Sequence, residues 1–134
     1  MGHSSFRDLI AWRRARHLVP IVYKLTDTFP REEQYGLTSQ IRRAAHSVPL
    51  NLAEGSGRLS NGEWQQFLGQ SRASLMELES GFIQAYDLKY VTREQLEPFF
   101  VNLQEVAKLI NGLLRASAGK RPKKFSTVES TVNC

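Results

Sequence analysis

Residues 64–85 read Trp64-Gln65-Gln66-Phe67-Leu68-Gly69-Gln70-Ser71-Arg72-Ala73-Ser74-Leu75-Met76-Glu77-Leu78-Glu79-Ser80-Gly81-Phe82-Ile83-Gln84-Ala85. Within this stretch Trp64, Leu68, Ser71, Leu75, Leu78, Phe82 and Ala85 recur at alternating steps of four and three residues. A second ladder, Leu96, Phe99, Leu103, Val106, Ile110 and Leu113, follows the same rule. Such steps hold side chains on one flank of an α-helix, whereas a strand alternates faces every two residues, so both segments are amphipathic helices. Each has one apolar stripe to bury, and the surface outside the stripes is where function must be sought.

Working outward, Ala11, Ala15, Leu18, Val22, Leu25 and Phe29 space a first helix from about Phe6 to Asp27 or Thr28. Leu37, Ile41, Ala44 or Ala45, Val48 and Leu52 space a second, from about Leu37 or Thr38 to Glu54. Pro20 and Pro49 lie inside these two helices, and an internal proline removes a backbone hydrogen bond at about 3 kcal/mol, so both are expected to kink. Ser39, Ala44, Ala45, Ser47 and Ala53 give the second helix a flank small enough for close approach by a neighbour. Gly55-Ser56-Gly57 is expected to end it through glycine's tolerance of the left-handed conformation. Ser60 to Glu63 and Thr92 to Gln95 each have the spacing of a capping box, which opens the third and fourth helices. The third should run to about Lys89 and the fourth to about Ser117, although Pro98 argues for a start as late as Glu97.

Four helices joined by short links favour antiparallel neighbours. The expected fold is therefore all-α, an antiparallel up-down-up-down four-helix bundle with kinked helices 1 and 2 over residues 6–119. Residues 1–5 are expected to be disordered, and residues 120–134, which begin with the basic cluster Lys120-Arg121-Pro122-Lys123-Lys124 and lose all periodicity, a flexible tail. At 134 residues the chain accommodates one such domain. No apolar run approaches the roughly 20 residues of a membrane span, and the start has no signal pattern, so a soluble cytoplasmic protein is expected. The single cysteine, Cys134, excludes an intrachain disulfide.

Charge is distributed unevenly. Residues 1–58 hold nine Lys/Arg against five Asp/Glu, residues 59–115 five against seven, and residues 116–134 four against one, for a net charge of +5. A basic front half can meet nucleic acid, and it can equally meet the acidic back half of another copy. The candidate phosphate contacts are Arg13, Arg14, Arg16, Arg42, Arg43 and Arg58, with Lys120, Arg121, Lys123 and Lys124 in the tail. Aromatic side chains are not expected to interleave with these cations in the manner of a stacking platform, so contact is expected to be backbone-directed and salt-sensitive. Apolar groups on second flanks, such as Phe67, Tyr86 and Phe100, point to self-association.

Catalytic constellations are wanting. A bundle metal site needs Glu-x-x-His pairs, whereas His17 and His46 sit three and four residues from Arg14, Arg13, Arg43 and Arg42, so no metal ligation is expected. Ser56 lacks the preceding strand and triad of a nucleophile elbow, Gly55-Ser56-Gly57-Arg58 lacks the lysine end of a phosphate loop, and Glu77 and Glu79 point to different sides of their helix. The reading is non-enzymatic, without cofactor.

Several segments together carry a resemblance: Phe6-Arg7-Asp8-Leu9 with Trp12, Tyr35 to Ala45, Val48-Pro49-Leu50-Asn51-Leu52-Ala53-Glu54-Gly55 with Arg58, Phe67-Leu68, and Ser74-Leu75-Met76-Glu77-Leu78-Glu79. Over about residues 6–115 the chain resembles the four-helix-bundle proteins encoded in intervening sequences of bacterial 23S ribosomal RNA genes. That family is similar in turn to the accessory variability determinant proteins of diversity-generating retroelements. The resemblance implies a ring-shaped homopentamer and, by the retroelement branch, a basic surface that meets nucleic acid, RNA or DNA, and a reverse transcriptase or other acidic protein. It supplies no catalytic residue. His46 stands where the family has a small aliphatic residue, and Gln70-Ser71-Arg72 is more polar than the family pattern.

Overall fold

The computed structural model describes residues 5–119. The tail cluster Lys120, Arg121, Lys123 and Lys124 lies outside the described residues, as does the N-terminal segment before Ser5. Among the described residues there is no strand; there are four α-helices, α1 (Ile10–Thr26), α2 (Leu37–Ser56), α3 (Asn61–Asp87) and α4 (Arg93–Ala118), and two short 3-10 turns, Phe6–Asp8 and Arg31–Glu33. No helix among the described residues is long and apolar enough to cross a membrane.

The ladders become the core. Leu68, Ser71, Leu75, Leu78, Phe82 and Ala85 of α3 and Leu96, Phe99, Leu103, Val106 and Ile110 of α4 are buried, while Trp64 and Leu113 at the ladder ends are half-buried. They meet Ala11, Ala15, Leu18 and Val22 of α1 and Ile41, Ala44, Ala45, Val48 and Leu52 of α2. Each fully buried leucine, valine or phenylalanine contributes about 1.5–3 kcal/mol over its exposed state, which outweighs the bond lost at each proline. Accordingly α1, α2 and α4 continue through Pro20, Pro49 and Pro98.

Each helix packs on its chain neighbours, and α4 packs back on α1. Partner numbers fall as chain numbers rise. Residues 23 and 26 of α1 reach 46 and 42 of α2, residues 41, 47 and 48 of α2 reach 81, 74 and 71 of α3, and residues 61 and 82 of α3 reach 117 and 99 of α4. The most extensive contact is between α2 and α3. A Cβ on Gly55 would stand 2.6 Å from the Phe67 Cβ and 2.8 Å from the Trp64 ring, and one on Gly81 would stand 2.8 Å from Ile41 Cγ1. Between these glycines runs a polar seam, in which the Ser71 hydroxyl donates to the Val48 carbonyl and Ser74 donates to Ser47.

Several boundaries depart from expectation. The Gly55-Ser56-Gly57 run does end α2, which stops at Ser56 with Gly57 as its cap, but not through a left-handed backbone: no glycine among the described residues has positive φ, and Gly55 lies within the helix against the rings of α3. The residue that does turn left-handed is Lys89, at φ 69°. Its N–H donates to the Tyr86 carbonyl and the Tyr90 N–H to the Ala85 carbonyl, the paired bonds of a Schellman motif. The α4 helix starts at Arg93, directly after a complete capping box in which Thr92 and Gln95 exchange bonds of 3.1 and 2.8 Å. Pro98 is tolerated because it and Glu94, whose carbonyl it deprives of a partner, are both exposed, so water can take that bond. At α3 only half the box forms, since Glu63 meets the Ser60 hydroxyl and not its backbone amide.

The links tie the ends of the bundle. Phe29, after α1, meets Phe82 and Tyr90, and Phe82 meets Phe99 edge-on at 4.9 Å. Glu33, in the α1–α2 link, accepts from the Leu37 N–H at the start of α2 and from the Tyr90 hydroxyl.

Candidate nucleic-acid interface

The helix predicted from Phe6 is two pieces. Ser5 accepts from the Arg7 N–H and caps a 3-10 turn, Phe6–Asp8, after which Leu9 is extended and α1 begins at Ile10. The break decides the local surface. On a continuous helix, residues 6 and 12 would stand about 120° apart, at 100° per residue. The turn instead folds back, so that Phe6 meets Trp12 edge-on with centroids 4.9 Å apart and planes at 70°.

Three arginines gather round this pair. Arg7 lies over the Phe6 ring at 5.7 Å and Arg16 over the Trp12 ring at 5.5 Å. Arg13 Nε donates to the Arg7 carbonyl at 2.7 Å, which locks the turn to the helix, and its guanidinium stands 3.7 Å from Asp8. Together with His17 these residues line a concavity of about 530 Å³. The expectation that aromatics and cations do not interleave is therefore corrected: Phe6 and Trp12 adjoin Arg7 and Arg13 in the sequence, and in space Arg7 and Arg16 lie over their rings. The turn's signal in the sequence is Ser5 with an N–H acceptor role two residues ahead, short of a capping box and so overlooked.

The remaining candidates are dispersed. Arg14 turns to the other side of α1 and pairs with Glu105 of α4 in the same chain. Arg58 pairs with Glu54 at 2.7 Å and lies over Phe67 at 5.1 Å. It borders a second hollow of about 460 Å³ that shares Phe6 with the first, so it lies at the same end of the bundle as Arg13 and Arg16. Arg42 is at the other end. Its Nε donates to the Thr26 hydroxyl, which donates in turn to the Val22 carbonyl, and its guanidinium lies 4.3 Å from the Tyr23 ring centroid. Thr26 is thirteen residues along α1 from Arg13, about 20 Å at the α-helical rise. Arg43, its neighbour, is exposed, and its side chain has no ion pair, hydrogen bond or ring contact with the described residues. The six arginines thus do not form one surface. Arg13, Arg16 and, across the turn, Arg58 are brought together; Arg14, Arg42 and Arg43 are not.

His46 hydrogen-bonds the Tyr23 hydroxyl through Nε2 at 2.9 Å, and among the described residues no group of three metal-ligating side chains comes together.

A different patch lies between α3 and α4. Ile83, Tyr86, Leu96 and Phe100, with Arg93 and Glu97 at the edge, line an apolar groove of about 360 Å³, and Ile83 and Tyr86 are each 46% exposed.

No curated protein matches this chain. A family profile matches residues 7–112, most of the chain, and the protein belongs to the 23S rRNA-intervening sequence protein family.

Proposed function

We propose that this is a non-enzymatic, homo-oligomeric bundle, a pentamer by its resemblance, that binds nucleic acid through the basic end formed by Arg7, Arg13, Arg16 and Arg58. The observation that supports it is the set of cations held round the Phe6–Asp8 turn, against which Asp8 and Glu54 are the nearby paired carboxylates. The family's name, which refers to ribosomal RNA, agrees with a nucleic-acid partner. Arg43 adds positive charge away from this surface, and Lys120, Arg121, Lys123 and Lys124, outside the described residues, are proposed to add phosphate contacts. A mobility-shift titration with RNA and DNA across salt tests the proposal. The logarithm of affinity should fall linearly with the logarithm of salt, by about 0.7–0.9 per phosphate contacted, and Arg13→Glu with Arg16→Glu should flatten that slope. Absence of affinity at low ionic strength would remove the proposal.

A second reading is a protein-interaction scaffold, in which a basic flank serves assembly or an acidic partner such as a reverse transcriptase. The apolar groove of α3 and α4 favours the assembly form, because an uncovered apolar patch of this kind suits contact between copies. Arg14 does not fit it, since its partner Glu105 is in its own chain. Nucleic-acid affinity at low salt distinguishes the two, being expected under the first reading and absent under the second, while Ile83→Glu should lower the mass read by light scattering if the α3–α4 groove serves assembly.

A further inference from the structure

We infer that the Phe6–Trp12 concavity is a base-stacking site, so that the nucleic acid taken by this protein is single-stranded. This rests on the nucleic-acid reading above and adds the form of the strand and the side chain that distinguishes it. A surface that only follows phosphates needs cations alone, and a duplex presents phosphates outward while its base faces are hidden in the stack. Exposed base faces are a property of single strands, and the side chains that recognise them are aromatic rings set within a positively charged groove.

That combination is what the Phe6–Asp8 turn builds. The edge-on packing at 70° means that Phe6 and Trp12 are not stacked plane on plane. Trp12 is half-buried, anchored against the core on one side. Above its ring stands Arg16, exposed, with no ion pair to a described carboxylate and 5.5 Å from the centroid. Arg42 on Tyr23 provides the contrast: it sits 4.3 Å from its ring, half-buried and pinned through Thr26, which makes that pair a structural contact. Arg16 has no such pin. An incoming base can take its place over Trp12 while the displaced guanidinium turns to the adjoining phosphate, with Arg7 and Arg13 beside it. The concavity of about 530 Å³ lies within the range of about 300–1,000 Å³ common to small-ligand sites, room enough for one nucleotide.

Tryptophan emission from the full chain tests this. It is titrated with oligouridylate, with oligothymidylate and with a duplex, each about twelve nucleotides long, at low salt. The single strands should quench emission and bind at least about tenfold more tightly than the duplex. Because Trp64 lines the neighbouring hollow with Phe6 and Arg58, the quench is assigned with two variants, Trp12→Phe, which should lose it, and Trp64→Phe, which should keep it. Trp12→Leu should weaken single-strand binding by about tenfold, Trp12→Phe by less, and neither should alter duplex binding. Phe6→Leu, outside the helix, provides a second variant, and circular dichroism confirms that each remains helical. Preference for oligouridylate identifies RNA and the reverse identifies DNA; either supports the inference. Equal affinity for duplex and single strand, or single-strand binding that loses salt-sensitive affinity in Arg13→Glu but is unmoved by Trp12→Leu, overturns base stacking and leaves backbone-directed binding standing. No affinity for any of the three overturns both.

Discussion

Tyr90 and Glu33 show how one hydrogen bond between links controls a titration. The Tyr90 hydroxyl donates to Glu33 at 2.9 Å, and this bond, followed by partial burial and the negative charges of Glu33 and Glu32, raises the phenol above its ordinary value of 10.0. A group whose folded value is raised holds its proton more tightly when folded, so its contribution to stability is fully present below pH 10 and is lost as pH rises through the folded value. Denaturant midpoints measured between pH 8 and 11 should fall at the alkaline end, and Tyr90→Phe should lessen that fall. Lys89 is the other residue with a specific cost. Its left-handed backbone is unfavourable by about 1–2 kcal/mol for a side chain with a Cβ. After allowing for the greater freedom of the unfolded chain, Lys89→Gly should raise stability by about 0.5–1 kcal/mol, read as a higher denaturant midpoint at unchanged slope.

At the scale of the element, apolar spacing reveals what a helix buries but not how near its neighbour comes. The ladders of α3 and α4 were legible because each rung is a bulky side chain with a fixed angular step. Gly55 was legible only as a possible stop, since nothing local says that Trp64 and Phe67, nine and twelve residues on, will lie against it. Gly55→Ala should destabilise the protein by about 1–3 kcal/mol despite alanine's better helix propensity, because the added methyl would overlap a ring and a Cβ that cannot swing away. Thermal unfolding followed by circular dichroism checks this. The site was less legible than the fold for a related reason. Arg13 and Arg16 announce a cationic flank by their spacing, but a single extended residue, Leu9, brings Phe6 to Trp12, and that residue has no side-chain signature. Pro98 misled in the opposite direction: its effect on a helix depends on whether the orphaned carbonyl can reach water, which is a property of the exposed outer face of α4 and not of the residue.

Considered whole, the molecule is a closed circuit of four helices whose contacts are unequal. The polar seam and two glycine contacts bind α2 to α3, and the α3–α4 pair is fastened at one end by the Asn61 amide on the Ser117 carbonyl and at the other by Phe82 against Phe99. The α1–α4 contact is the least extensive of the helix pairs, and its ion pair, Arg14 with Glu105, is half exposed, a class of interaction that contributes about 0–1 kcal/mol. Amide deuterium uptake should therefore be slowest in the middle of α2 and α3 and faster in α1, with Arg14→Ala accelerating α1 more than α3. Uniform protection along all four helices would contradict that ranking. Since Trp12 rides on α1, the ring belongs to one of the two helices that share the weakest joint of the circuit, and a ligand seated on it should slow amide exchange along α1.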